Sequence, residues 1–192
     1  MRRKGKRRVP SRVREPLIQP DLKNSSWSMD FMSDSLQSGQ RFRTLNILDD
    51  FNREVLHIEI GTSLPSLRVV RVLEELKEWR GLPGQIRVDN GPEFIAEPLR
   101  SWAKGNGVRI LFIQPGKPMQ NAYVERFNKT YRTEVLDYYS FLSLNEVREI
   151  TREWMEDYNH HRPHGSLRNC SPIEFAEQWA LTVDNFSEVT HN

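Results

Sequence analysis

The spacing of apolar residues changes at Pro65, and that change limits the folds open to this chain. Before Pro65, Trp27, Met29 and Phe31 alternate with Ser28 and Asp30, and Leu56, Ile58 and Ile60 alternate with His57 and Glu59. A period of two is a strand with one buried face, and Phe42 to Leu48 reads as another. Gly39-Gln40 and Phe51-Asn52-Arg53 leave room only for turns, so the three strands form an antiparallel meander. After Pro65, Val72, Leu76 and Trp79 fall at helical spacing, with Val69 and Leu73 widening the stripe and Gly81 stopping it. A strand at Ile86–Val88 comes next, then a helix begun by Pro98 that carries Leu99, Trp102 and Ala103 and ends at Gly105 and Gly107. Val108–Ile113 is almost continuously apolar, which predicts a strand covered on both faces. The order βββαβαβ predicts an α/β chain: a mixed sheet with helices on its faces.

Gln114-Pro115-Gly116-Lys117-Pro118 cannot be regular structure and reads as a mobile loop. A helix begins near Gln120 with the apolar stripe Val124, Phe127 and Tyr131, while Asn121, Glu125, Asn128, Lys129 and Arg132 share another face. Ser143-Leu144-Asn145-Glu146 is a capping box before a long helix with Val147, Ile150, Trp154 and Tyr158. Ser171-Pro172-Ile173-Glu174 opens a last helix in the same way, and residues beyond about Val183 read as a frayed tail. The expected organisation is a basic arm and linker over 1–25, a core over 26–135, a helical extension over 136–182 and a flexible tail over 183–192.

Charge is unevenly placed. Residues 1–14 hold eight Lys or Arg and no acid, so residues 15–192 carry 20 basic against 26 acidic side chains although the whole chain is +2. Such an arm suits phosphate contact, and it equally suits a solubilising leader. The acidic remainder fits a catalytic body with a local carboxylate cluster better than a DNA-coating protein. No apolar run reaches the eighteen or so residues of a membrane span, and the basic start lacks the apolar segment of a secretory signal. Cys170 is the only cysteine, which excludes a disulfide framework and fits a reducing, cytoplasmic compartment.

Within Ile86-Arg87-Val88-Asp89-Asn90-Gly91-Pro92-Glu93-Phe94 an apolar strand stops in a turn with a carboxylate at the stopping point. Asp89 can cap its own turn, or it can be a metal ligand awaiting partners. Asp30 in the first strand and Glu125 on a later helix are placed to be those partners, and 35 residues lie between Asp89 and Glu125. Chance alone gives roughly three acid pairs at such a separation in a chain this acidic, so spacing by itself decides little. Asp50 reads as a neighbour of Arg53 or a turn cap, and Glu93 as the opening of the segment after Pro92. His160, His161 and His164 lie at a helix end, where polar or cationic side chains suit the helix dipole better than zinc.

Four ordered stretches together resemble a known family. Trp27-Ser28-Met29-Asp30-Phe31, Val88-Asp89-Asn90-Gly91-Pro92-Glu93-Phe94, Asn121-Ala122-Tyr123-Val124-Glu125-Arg126-Phe127-Asn128 and Tyr158-Asn159-His160-His161-Arg162-Pro163-His164 look like the motifs of insertion-sequence transposases of the retroviral-integrase-like type. The resemblance runs from about Trp27 to Trp179. It implies a ribonuclease-H-like fold: a mixed five-stranded sheet with helices on both faces, plus C-terminal helices. It also implies an Asp, Asp, Glu triad of Asp30, Asp89 and Glu125 holding two Mg²⁺ ions, with Mn²⁺ able to substitute. Mg²⁺ prefers carboxylate oxygens, and two ions offset the triad's negative charge. The implied reaction is DNA strand cleavage at element ends followed by transesterification into target DNA.

The resemblance implies DNA as partner, a homo-oligomer in the DNA complex, and a location with the bacterial nucleoid. Asn90, held next to Asp89 by its turn, and Lys117, Asn121, Lys129 and Arg132 are the residues expected to meet DNA, and the last four read equally well as a solvated polar face. Transposases of this kind carry a helical DNA-recognition region ahead of the core, and only the arm and linker precede Trp27. The chain therefore reads as a truncated or separately translated catalytic half, with a recognition protein possible as partner. The alternative is a catalytically incompetent DNA-binding remnant that regulates the intact transposase.

Overall fold

The computed structural model describes residues 17, 19–114 and 118–189. Strands β1 (Trp27–Ser35), β2 (Arg41–Asp49) and β3 (Val55–Gly61) form the expected meander, paired antiparallel throughout. Helix α1 (Ser66–Arg80) crosses to β4 (Gln85–Val88), which lies parallel to β1. Helices α2 (Pro92–Ile95) and α3 (Glu97–Asn106) lead to β5 (Arg109–Phe112), parallel to β4. The sheet order is β3-β2-β1-β4-β5. Helix α4 (Ala122–Tyr131) follows a 3₁₀ turn at Pro118–Asn121 and runs into a π-helical turn at Arg132–Leu136. Helices α5 (Leu144–His160) and α6 (Pro172–Val189) complete the chain. This is the architecture the resemblance implied.

Two apolar layers sandwich the sheet. Trp27, Met29, Leu45, Ile47, Ile86 and Val88 pack against Val69, Val72, Leu73 and Leu76 of α1 and Leu99 and Trp102 of α3. On the other face Phe42, Leu48, Ile58 and Ile60 pack against Val124, Phe127 and Tyr131 of α4 and Val147 and Tyr158 of α5. The capping boxes form as expected: Ser143 Oγ accepts from the Glu146 N–H and Ser171 Oγ from the Glu174 N–H, both at 3.3 Å. No helix among the described residues is long and apolar enough to cross a membrane.

Four local expectations are corrected. Trp79 is 63% exposed rather than buried on α1, because Arg80 takes the inward position of the last turn. There its guanidinium meets Asp49 at 3.1 Å and Glu54 at 2.7 Å. Strict alternation along β3 fails, since the register slips opposite Ile47 and Leu48 and puts Leu56 in one layer and Ile58 in the other. A bulge does this by inserting one residue and turning the following side chains over. β5 is not covered on both faces: it is the sheet edge, with Arg109 exposed and Ile110, Leu111 and Phe112 only half-buried. The last helix continues to Val189 instead of fraying after Val183.

Candidate active site

Alternation along β1 sends Trp27 and Met29 into the α1 layer and turns Asp30 toward α4. The parallel register pairs Trp27 with Ile86 and Ser28 with Arg87, and two further steps bring Asp30 level with Asp89. Asp89 has the parity of Arg87, opposite to the inward-facing Ile86 and Val88, so the chain ends β4 with a carboxylate on Asp30's side of the sheet. Glu125 comes from the first turn of α4, the helix packed on β1 and β2.

The turn after β4 holds Asp89 by its own backbone: the Gly91 N–H donates to Asp89 Oδ1 at 2.8 Å. The turn-capping expectation for Asp89 therefore holds, and its second oxygen is left outside that hydrogen bond. A side chain at position 91 would put its Cβ 2.9 Å from Asp89 Oδ1, so any other residue there would push the Asp89 carboxylate aside. Asp30 is held in a similar way, with the Phe31 N–H donating to Oδ1 at 2.8 Å and Asn128 Nδ2 to Oδ2 at 2.7 Å. Asn128 in turn accepts from Asn46 Nδ2 at 2.6 Å, and Asn46 is the residue opposite Asp30 on β2. This chain of two amides beneath Asp30 was hidden in the sequence, where Asn128 fell on α4's polar face and Asn46 inside a strand. The visible hint was Asn128's position one helical turn after Glu125.

The electrostatics tie the three acids together. Burial, with the carboxylates of Asp89 and Glu125 adding repulsion, pushes the Asp30 carboxyl up to about 6 despite its hydrogen bonds. Partial desolvation also raises Glu125. Among the described residues, no three His, Cys, Asp or Glu side chains lie close enough together to hold a metal ion. The donor chemistry still fits one: three hard oxygen donors repel one another around a half-buried Asp30, and Asp89 and Glu125 present exposed carboxylates beside it.

The residues expected to meet DNA are not equivalent. Lys129 is exposed on α4 beside Glu125's turn, and Asn90 is exposed while its Nδ2 donates to the Ile113 carbonyl at 3.0 Å. Asn121 is 2% exposed, with its Oδ1 buried and unpartnered. Arg132 is committed to the end of β1, donating to Asp34 Oδ2 at 2.6 Å and to the Ser33 carbonyl at 2.7 Å. Lys117 lies outside the described residues, as do the arm over 1–16 and the middle of its own loop. Asp50 pairs with Arg87 at 2.8 Å rather than with Arg53, and Glu93 pairs with Arg43. In the last motif, Asn159 exchanges two 2.9 Å hydrogen bonds with the Val55 backbone and Arg162 pairs with Glu134. Both join α5 to the rest of the core.

An integrase core domain family description matches residues 20–118, and a second integrase core domain description matches residues 106–172. An insertion element IS407 protein of Burkholderia multivorans is 40% identical over 184 residues, which make up 96% of this chain and 66% of that protein. An insertion element IS476 protein of Xanthomonas euvesicatoria is 38% identical over 184 residues, 96% of this chain and 53% of that protein. The chain thus spans between about half and two thirds of the length of these relatives. Among solved structures, the HTLV-2 integrase catalytic core domain in complex with magnesium superposes with a TM-score of 0.65 at 15% identity, covering 81% of this chain and 97% of that one. A chain in the structure of the simian T-cell lymphotropic virus intasome in complex with PP2A regulatory subunit B56 gamma gives 0.73 at 18%, covering 88% and 60%. These likenesses establish the ribonuclease-H-like fold. By its sheet, its motifs and these matches, the chain belongs to the integrase core domain family of insertion-element transposases.

Proposed function

We propose that this chain is the catalytic core that cuts DNA at the ends of an insertion element and joins them to target DNA, with Asp30, Asp89 and Glu125 as its metal-holding acids. The observation that carries the reading is the β1–β4 register, which brings Asp30 level with Asp89 beneath the helix bearing Glu125. Bound Mg²⁺, or Mn²⁺ in its place, supplies positive charge against the phosphate and acidifies a water or a DNA 3′-hydroxyl. The protein's own contribution is placement. The Gly91 and Phe31 N–H groups each fix one oxygen of Asp89 and of Asp30, and the Asn46–Asn128 pair sets the rotation of Asp30. Lys129 and Asn90 flank the acids where a DNA backbone would pass. Bringing two ends together requires more than one copy of the chain, so a homo-oligomer on DNA belongs to the same reading.

The test incubates the full chain with pre-cleaved element ends and target DNA in Mg²⁺ or Mn²⁺. Joined or nicked product is expected from the wild type and none from Asp89→Asn. That variant should keep its thermal midpoint, or raise it, in metal-free buffer, because a repelling charge is gone. Bound DNA with neither nicking nor joining in the wild type would overturn the catalytic reading and leave a regulator of the intact transposase. Collapse of folding in Asp89→Asn would reduce Asp89 to a turn residue.

A further inference from the structure

A second charged cluster lies where the β2–β3 turn, α4 and the chain after α5 meet, and the three acids do not use it. Arg53 sits in that turn with a left-handed backbone, φ 62°. Its guanidinium stacks 3.3 Å from the centre of the Tyr123 ring on α4. Arg53 is only 8% exposed, yet its Nη1 is buried without a hydrogen-bond partner. The acids nearest in sequence make their hydrogen bonds elsewhere: both oxygens of Glu54 accept from Arg80, and Asp50 Oδ2 accepts from Arg87 and Ser26. His164 lies edge-on to Tyr158, ring centres 4.8 Å apart, and its Nε2 is likewise buried and unpartnered. Burial and the charges of Arg162, Arg53 and Arg126 lower His164 to about 4, so the imidazole is neutral at pH 7.

Among the described residues, only Arg162 of those three arginines pairs with a carboxylate, that of Glu134. Arg126 is exposed and pairs with no acid among the described residues. Arg126 shares that unpaired, exposed state with Arg100 and Arg109, but the buried Arg53 stands apart: the half-buried Arg43, Arg68, Arg80, Arg87, Arg132 and Arg162 all meet carboxylates. A guanidinium removed from water with an unused N–H is costly unless an acceptor, preferably an anion, completes it. Planar guanidinium groups match phosphate oxygens in geometry as well as charge.

We infer that Arg53 and Arg126, with the Tyr123 and His164 rings as walls, form a subsite for a nucleic-acid backbone phosphate beside the reacting one. The inference rests on the proposed DNA-cutting role and extends it. Tyr123 and Arg126 are three residues apart on α4, about 5–6 Å between Cβ atoms, and they straddle Glu125 in sequence. A strand whose reacting phosphate lies at Asp30, Asp89 and Glu125 would therefore carry a neighbouring phosphate along this flank of α4 toward the end of α5. A phosphate seated there would satisfy the free N–H of Arg53, and an intervening water could donate to His164 Nε2.

Binding of the full chain to a fluorescent duplex with a 3′ overhang, measured in EDTA across a salt series, separates this subsite from catalysis. Arg126→Ala should weaken binding about threefold to tenfold and reduce the slope of log K against log salt by about one. Arg100→Ala removes an equal charge from exposed α3 on the other face of the sheet and should leave the slope unchanged. Arg53→Gln should act like Arg126→Ala, but its buried position puts folding at risk, so the NMR ring signals of His164 in the wild type provide a second readout. They should move on adding the oligonucleotide and not on adding the same concentration of inorganic phosphate. An unchanged slope in Arg126→Ala, a still His164, or an equal response to inorganic phosphate would overturn the inference. Loss of catalysis with these binding results intact would instead overturn only the cutting role.

Discussion

Asp30 carries the most consequence of any single residue, because the same burial that positions it also works against its charge. Its carboxyl is raised from 3.8 to about 6 in the fold, so the folded chain binds the proton more tightly than the unfolded chain does. This group's contribution to stability is therefore greatest below about pH 4 and is lost as pH rises through 6. Two pKa units and a little more correspond to on the order of 3 kcal/mol. His164, lowered to about 4 by burial and nearby arginines, acts in the opposite direction, gaining stability between pH 4 and 6.5. The clean measurement is thus a difference. In EDTA, thermal midpoints at pH 5, 6 and 7 should fall more steeply for the wild type than for Asp30→Asn, and the variant should be the more stable protein at pH 7. Parallel curves would mean that Asp30 carries no such penalty.

Among the elements, α4 decides the site, since it supplies Glu125 and Asn128 and packs on β1 and β2 beside α5. Its buried stripe of Val124, Phe127 and Tyr131 was plain in the sequence because three-and-four spacing is local information. The same holds for the meander, the crossover helix and both capping boxes. What the sequence hid depends on pairing. Trp79 continued the apolar period of α1, but the Arg80 ion pairs outcompeted it for the inward position. The β3 bulge needs the partner strand to be seen, and β5 looked central because an apolar run does not say which neighbours it has. Asn128 and Arg132 looked like surface residues until β1 and β2 supplied their partners. At this scale Arg132 anchors the end of α4 to Asp34 and Ser33 at the end of β1. Arg132→Ala should cost about 1 kcal/mol, allowing for the exposure of the pair, and should lower the urea midpoint with the slope m unchanged. An unmoved midpoint would free Arg132 for the DNA role its sequence position promised.

Across the whole molecule the three acids come from β1, β4 and α4, units that touch one another only once the sheet has formed. No segment of the unfolded chain holds them together, so a cation that bridges them binds the folded state alone. Binding of that kind adds RT ln(1 + [L]/Kd) to stability: about 1.4 kcal/mol at tenfold excess over Kd. For a chain of this size, that is a rise of roughly 3–6 °C in midpoint. The rise should be larger at pH 7 than at pH 5, because protons compete for Asp30 with its carboxyl near 6. Adding 10 mM MgCl₂ to the wild type should therefore raise the midpoint relative to EDTA at matched ionic strength. Asp30→Asn, Asp89→Asn and Glu125→Gln should each lose most of that rise. Asp34→Asn, which removes a carboxylate from the end of the same strand without touching the triad, should keep it. An equal rise in all four variants would show that magnesium acts on the acidic surface in general, and the three acids would then be neighbours rather than one site.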